Sequence, residues 1–143
     1  MSQATDYMEE KFLDALASLG SFDFATGTIT SGSGGFIGLF TGAPSDSSSG
    51  TEVSTSGTAY VRVQIGSAGQ GSFGAASGGE ITNDAEFRWS DAQADWGTIT
   101  HVGLFDASTS GNLLVYGQLQ SAVAIETGDI FKVPTGGFTI QMN

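Results

Sequence analysis

The chain has one histidine, His101, so any Ser-His-Asp arrangement would have to be built around it. Acyl transfer needs a nucleophile, a base and an orienting group in contact. Serine and aspartate are abundant, and their numbers leave a triad open. No G-x-S-x-G elbow occurs, however, and His101 falls inside an apolar strand candidate. There a lone histidine is more often a structural hydrogen-bonder than a base. A second possible chemistry is glycoside cleavage by paired carboxylates. By spacing, Asp84 with Glu86, or Asp91 with Asp95, could form such a pair, and Trp89 and Trp96 stand near as sugar platforms. The alternative is that these carboxylates solvate loops while the tryptophans anchor the core, and that reading is preferred.

Metal and nucleotide chemistry find less support. There are no cysteines, so a thiolate site and a disulfide framework are both absent. The stretches "DASTSGN" and "SDSSSGTE" only loosely resemble oxygen-rich calcium loops and lack the D-x-[DN]-x-[DN]-G pattern. No HExxH, no GxxxxGK[ST] and no GxGxxG after a strand is present. The expectation is a protein that is not an enzyme and uses no cofactor.

Charge narrows the partners. Lys11, Arg62, Arg88 and Lys132 face 15 carboxylates, for a net charge of −11. Nucleic-acid binders cluster their cations, whereas these are few and scattered, so no nucleic-acid partner is expected. Residues 1–20 lack the basic start and apolar run of a secretory leader, and no apolar stretch approaches the ~20 residues of a membrane span. A soluble protein without membrane partners is expected. At 143 residues the chain suits one folding unit with a sizeable core.

Two kinds of element would position these residues. Asp6 and Glu9 resemble a capping box, and Met8, Phe12, Ala15, Leu16 and Leu19 form one apolar stripe at helical spacing. Gly20 stands where a helix C-terminus belongs. The pattern predicts an amphipathic helix over about 6–19, within an N-terminal arm of residues 1–20. After it, residues 21–143 read as a β-sandwich or jelly-roll domain. Strand candidates lie at 22–30, 36–41, 58–66, 80–89, 97–106, 112–120, 122–126, 129–133 and 137–142, separated by Gly- and Ser-rich turns. In "AYVRVQI", alternation puts Tyr60, Arg62 and Gln64 on one face and Val61, Val63 and Ile65 on the other. Residues 45–57 and 66–79 read as loops, the second as mobile or ordered by a partner.

One phrase is written twice, as "FIGLFTG" (Phe36–Gly42) and "HVGLFDA" (His101–Ala107). In each, Gly and Phe share one strand face, and both faces are apolar. Such strands belong inside a sheet that is covered on both sides. A glycine there packs nothing and costs conformational entropy unless a neighbour needs the room. Gly38 and Gly103 are therefore read as making room, on strands that are adjacent or equivalent in facing sheets.

The order of segments has a precedent. "YMEEKFLDAL" is followed by "FIGLFTGAPSD", then "GTEVS" and "AYVRV", then "ITNDAEFRWSDAQADWGTITHVGLFDASTSGNLLVYGQL", and finally "IETGDIFKVPTGGFTIQM". From Tyr7 to Met142 this resembles a family of small virion proteins of tailed bacteriophages, labelled tail-fibre or capsid cement (decoration) proteins. The most specific stretch is Trp96–Leu114. The stretch after "AYVRV" is longer here than is usual in the family. The resemblance implies a jelly-roll-like β-sandwich preceded by one short amphipathic helix, assembled as a homo-oligomer, a trimer, on the capsid surface. It implies assembly in the host cytoplasm, the major capsid protein as partner, and no catalytic residues. The first reading is a capsid cement protein that stabilises the shell by binding the assembled lattice. The alternative is a tail or tail-fibre accessory protein with an adsorption or scaffold role. Met8, Phe12 and Leu16 are the candidate partner-binding residues, either as an interface or as a lid on the chain's own sheet.

Overall fold

The computed structural model describes residues 2–5, 35–74, 77 and 80–141. The predicted helix, its stripe Met8, Phe12 and Leu16, and the strand candidate at 22–30 lie outside the described residues. So does nearly all of the proposed arm.

The described chain is mainly β structure in several antiparallel sheets. Its strands are β1 (Ser2–Ala4), β2 (Phe36–Gly42), β3 (Thr51–Glu52), β4 (Val63–Gln64) and β5 (Glu80–Thr82), then β6 (Phe87–Arg88), β7 (Gly97–Phe105), β8 (Leu113–Ile125), β9 (Lys132–Val133) and β10 (Thr139–Gln141). The largest sheet runs β1-β8-β7-β2-β3, with β4 also paired to β2. Two ribbons, β5 with β10 and β6 with β9, complete the strand pairing.

The doubled phrase explains the centre of this sheet. Strands β2 and β7 are adjacent and antiparallel, with Gly38 directly opposite Gly103. A Cβ on Gly38 would come within 2.8 Å of a Phe105 ring carbon. A Cβ on Gly103 would come within 2.8 Å of a Phe40 ring carbon. Each glycine thus lies beneath the phenylalanine of the other strand. The two rings stack with centroids 5.8 Å apart. With Leu113, and with Phe36 and Tyr116 packed against them, they form a small apolar cluster on one face of the sheet.

The opposite face carries the main core. Ile37, Leu39, Val63, Ile99 and Val102 from the sheet pack against Val53, Tyr60, Phe87, Trp89, Trp96, Phe131 and Val133. Ile99 and Val102 are three residues apart, a spacing that strict alternation would place on opposite faces. A register irregularity between Ile99 and His101 against β8 turns both toward the core.

Several expected boundaries shift. The candidates at 112–120 and 122–126 are one continuous strand, β8. The candidate at 80–89 is split into β5 and β6 by Asn83, which is buried. The Asn83 side-chain amide donates to the Ala85 and Pro134 carbonyls and accepts from the Phe138 N–H. It replaces the ladder where the two ribbons diverge. Of the candidate at 58–66, only Val63–Gln64 is strand. Ala59 adopts a left-handed backbone with φ of 59°, so the alternation starts anew behind it. Tyr60 is buried and Val61 is 62% exposed, the reverse of a simple core-facing valine.

Residues 66–74 are also more fastened than a free loop would be. Ser72 bonds Asp84 through both its N–H and its hydroxyl, and Gly71 N–H donates to Glu86. The Phe73 ring packs against Phe87 and Phe138. Gly71 is required, because a Cβ there would collide with the Ala85 carbonyl.

The reciprocal fit makes a sharp expectation. Gly103→Ala places a methyl against Phe40 and Leu113 and lowers stability by about 1–3 kcal/mol, through overpacking. Urea unfolding of a double-mutant cycle should show stronger coupling of Gly103→Ala to Phe40→Leu than to Phe105→Leu. Equal or absent coupling would show that the Phe40 ring does not sit over Gly103.

Candidate functional site

His101 lies on β7 at the edge of the small cluster, opposite Phe40 and Gln118. Its Nδ1 is 2.9 Å from the Thr100 hydroxyl. Partial burial lowers its pKa below the ordinary 6.5, which favours the neutral ring. Among the described residues, no serine or carboxylate hydrogen-bonds to it. The paired-carboxylate positions are equally ordinary. Asp84 accepts from Ser72, and Asp95 accepts from the Thr127 N–H and hydroxyl. Trp89 and Trp96 are buried in the main core and offer no sugar platform. Trp96 donates its indole N–H to the Thr58 carbonyl, and Trp89 packs edge-on against Phe131. Among the described residues, no group of three or more His, Asp or Glu is placed to hold a metal.

The two loosely calcium-like stretches are self-closed turns. In "DASTSGN", Asp106 accepts from the Asn112 side-chain amide at 2.8 Å and from its backbone N–H at 2.7 Å. These bonds favour the carboxylate and lower the Asp106 pKa below 3.8, with burial opposing. Ser110 and Gly111 are left-handed, which reverses the chain. In the other stretch, Ser45 and Ser48 close a turn on their own backbones, and the Tyr116 hydroxyl bonds Asp46.

What the residues do build is a polar keystone. Strands β3 and β4 pair with the same edge of β2 but leave a gap at Gly38 and Leu39. The Leu39 N–H would be unpartnered in that gap. Instead it donates to the Tyr60 hydroxyl at 2.9 Å, which in turn donates to Glu52 Oε1 at 2.8 Å. Burial, and then the Glu52 charge, push the Tyr60 phenol far above its ordinary value, so it remains a donor. Arg62 grips Glu52 with two N–H groups, at 2.8 and 2.7 Å. Its side chain is only 7% exposed, and its guanidinium lies 3.3 Å from the Phe105 ring centre. The remaining donors reach the Ala107 and Ser110 carbonyls. One arginine therefore joins the small aromatic cluster, the β2 edge and the 106–112 turn.

This arrangement ties backbone and side chains together in a structural role. It fastens the serine-containing 106–112 turn to the β framework. The family model described as podophage GP4 fiber I protein gp80 (Gp80) matches residues 3–141. The chain belongs to this family. No curated protein matches it. As a Gp80 family member it is a structural component of a bacteriophage virion, of tail-fibre-like type.

Met8, Phe12 and Leu16 fall within the family match but outside the described residues. Glu52, Tyr60 and Arg62 were not anticipated as a group. The available signal was a lone arginine between valines in "AYVRV", a position that demands a carboxylate. Glu52 is the acid that answers it.

Tyr60→Phe removes the acceptor for Leu39 N–H and a donor to Glu52, while retaining the edge contact with Trp96. Stability should fall by about 1–3 kcal/mol with the tertiary fold retained, read by urea denaturation and near-UV circular dichroism. An unchanged midpoint would show that the hydroxyl does not bridge the gap.

Proposed function

We infer that this Gp80 family chain is an accessory protein of the phage tail or fibre, with an adsorption or scaffold role. The observation that carries this reading is the near full-length match to a family described as a fiber protein. A capsid cement role stands second. It would draw on the same rigid, acid-coated β framework, but the family description does not name it. Three finer features belong to the proposal: a jelly-roll-like closure of the sheets, an N-terminal helix over about 6–19, and assembly as a homo-oligomer, a trimer. Antiparallel strands with a core on one sheet face and aromatic packing on the other are compatible with that closure. The stripe of Met8, Phe12 and Leu16 would serve as the arm's contact with its neighbour.

Copy number separates the two roles. Quantitative gel staining of intact particles should give only a few copies per particle. A number comparable with the major capsid protein would support cement and overturn the fibre reading. The arm is tested separately by replacing Phe12 and Leu16 with serine. The free variant should remain folded by circular dichroism yet fail to enter particles. Unfolding of the free variant would instead place the stripe in the chain's own core.

A further inference from the structure

Arg88 on β6 stands directly opposite Lys132 on β9. Both backbone bonds of Arg88 go to the Gln70 side-chain amide, while Trp89 N–H donates to Phe131. Arg88 and Lys132 therefore form a non-hydrogen-bonded pair, the kind that brings side chains closest. Like charges opposed in this way are destabilising. Both residues are exposed. Neither makes an ion pair or side-chain hydrogen bond among the described residues. The chain has 15 carboxylates and only four Lys and Arg residues. Even so, two of those cations repel each other and no described acid neutralises them.

Each cation has an exposed apolar residue nearby. Val61 and Val123, 62% and 40% exposed, are the exposed large hydrophobic residues among those described. Val61 and Arg88 line one cleft, of about 300 Å³. Val123 and Lys132 line another, of about 610 Å³. Each exposed valine thus shares a cleft with one unpaired cation, and the cation couple forms the ridge between the clefts. The larger recess sets Val123 and other apolar side chains beside Lys132, and the smaller sets Val61 beside Arg88 among polar side chains; together they fit a protein surface that presents carboxylates with apolar and polar side chains between them.

We propose that the Arg88–Lys132 ridge is an interface for an acidic surface of a second copy of this chain. At a net charge of −11, copies repel one another over most approaches, and association needs a local site of opposite sign. Arg62 is occupied internally by Glu52, which leaves this couple as the cation source among the described residues. The proposal rests on the homo-oligomeric part of the reading above. It is independent of whether the protein sits on tail or capsid.

A single variant separates an interface from a structural role. Arg88→Glu turns a repulsive cross-strand pair into an attractive one, so the folded monomer should melt at a higher temperature. The same change should weaken self-association roughly tenfold or more in sedimentation velocity at low salt. The wild type should dissociate progressively as salt rises. Val61→Ser, which leaves the charges in place, should also weaken association. A wild type that stays monomeric overturns the proposal, as does an Arg88→Glu protein that assembles as well as wild type. Neither result would alter the copy number per particle on which the fibre reading depends.

Discussion

Gly38 and Gly103 face each other across β2 and β7, and each lies under an aromatic ring carried by the other strand. The close approach of ring to backbone is possible only because neither position has a Cβ. It seats Phe40 and Phe105 against the backbone of the facing strand and brings them into a stack. A sheet whose outer face is closed by only a few rings tolerates little slippage. A shift of register by one residue would put a side chain under each ring and reverse every residue's face. The main core on the other side inherits its alignment from that pairing.

The second organising element is electrostatic, and it depends on the first. Arg62 lies over the Phe105 ring, whose position is set by Gly38. From there it reaches Glu52 and the turn carbonyls. In a chain this acidic, burying an arginine makes sense only with its carboxylate in place. Losing one partner of such a pair typically costs about 3–5 kcal/mol, because the other is stranded. The Tyr60 hydroxyl then completes the edge that two short strands leave open. Packing and polar contacts form one connected unit rather than separate contributions.

Much of this could be read from residue order. The twin Gly-Leu-Phe phrases marked the two central strands and indicated that their glycines made room for a neighbour. Apolar content on both faces placed them inside the sheet. Other features were invisible for identifiable reasons. Alternation in 58–66 suggested a strand, but Ala59 takes a left-handed backbone that no residue type there announces. Asn83 looked like one polar residue in a strand, whereas its amide ends the strand by bonding three backbone groups. The stretch 66–74 had no period because its order comes from distant partners, Asp84 and Glu86. The Arg88–Lys132 couple is a matter of register between two short strands, which spacing along the chain does not encode.

The order of strands in the large sheet has a kinetic side. β2 waits for β7 some 65 residues later, and Thr5 donates its hydroxyl to Leu113, a separation of 108 residues. In that sheet only β7 with β8 and β2 with β3 are neighbours close along the chain, and the remaining pairings are long-range. Such non-local topology belongs with slow folding, on the order of milliseconds to seconds. A ribosome must release β7 before the glycine pair can meet at all. The structural unit therefore arises late, and copies made only as far as β6 lack the glycine pair that would organise a finished surface.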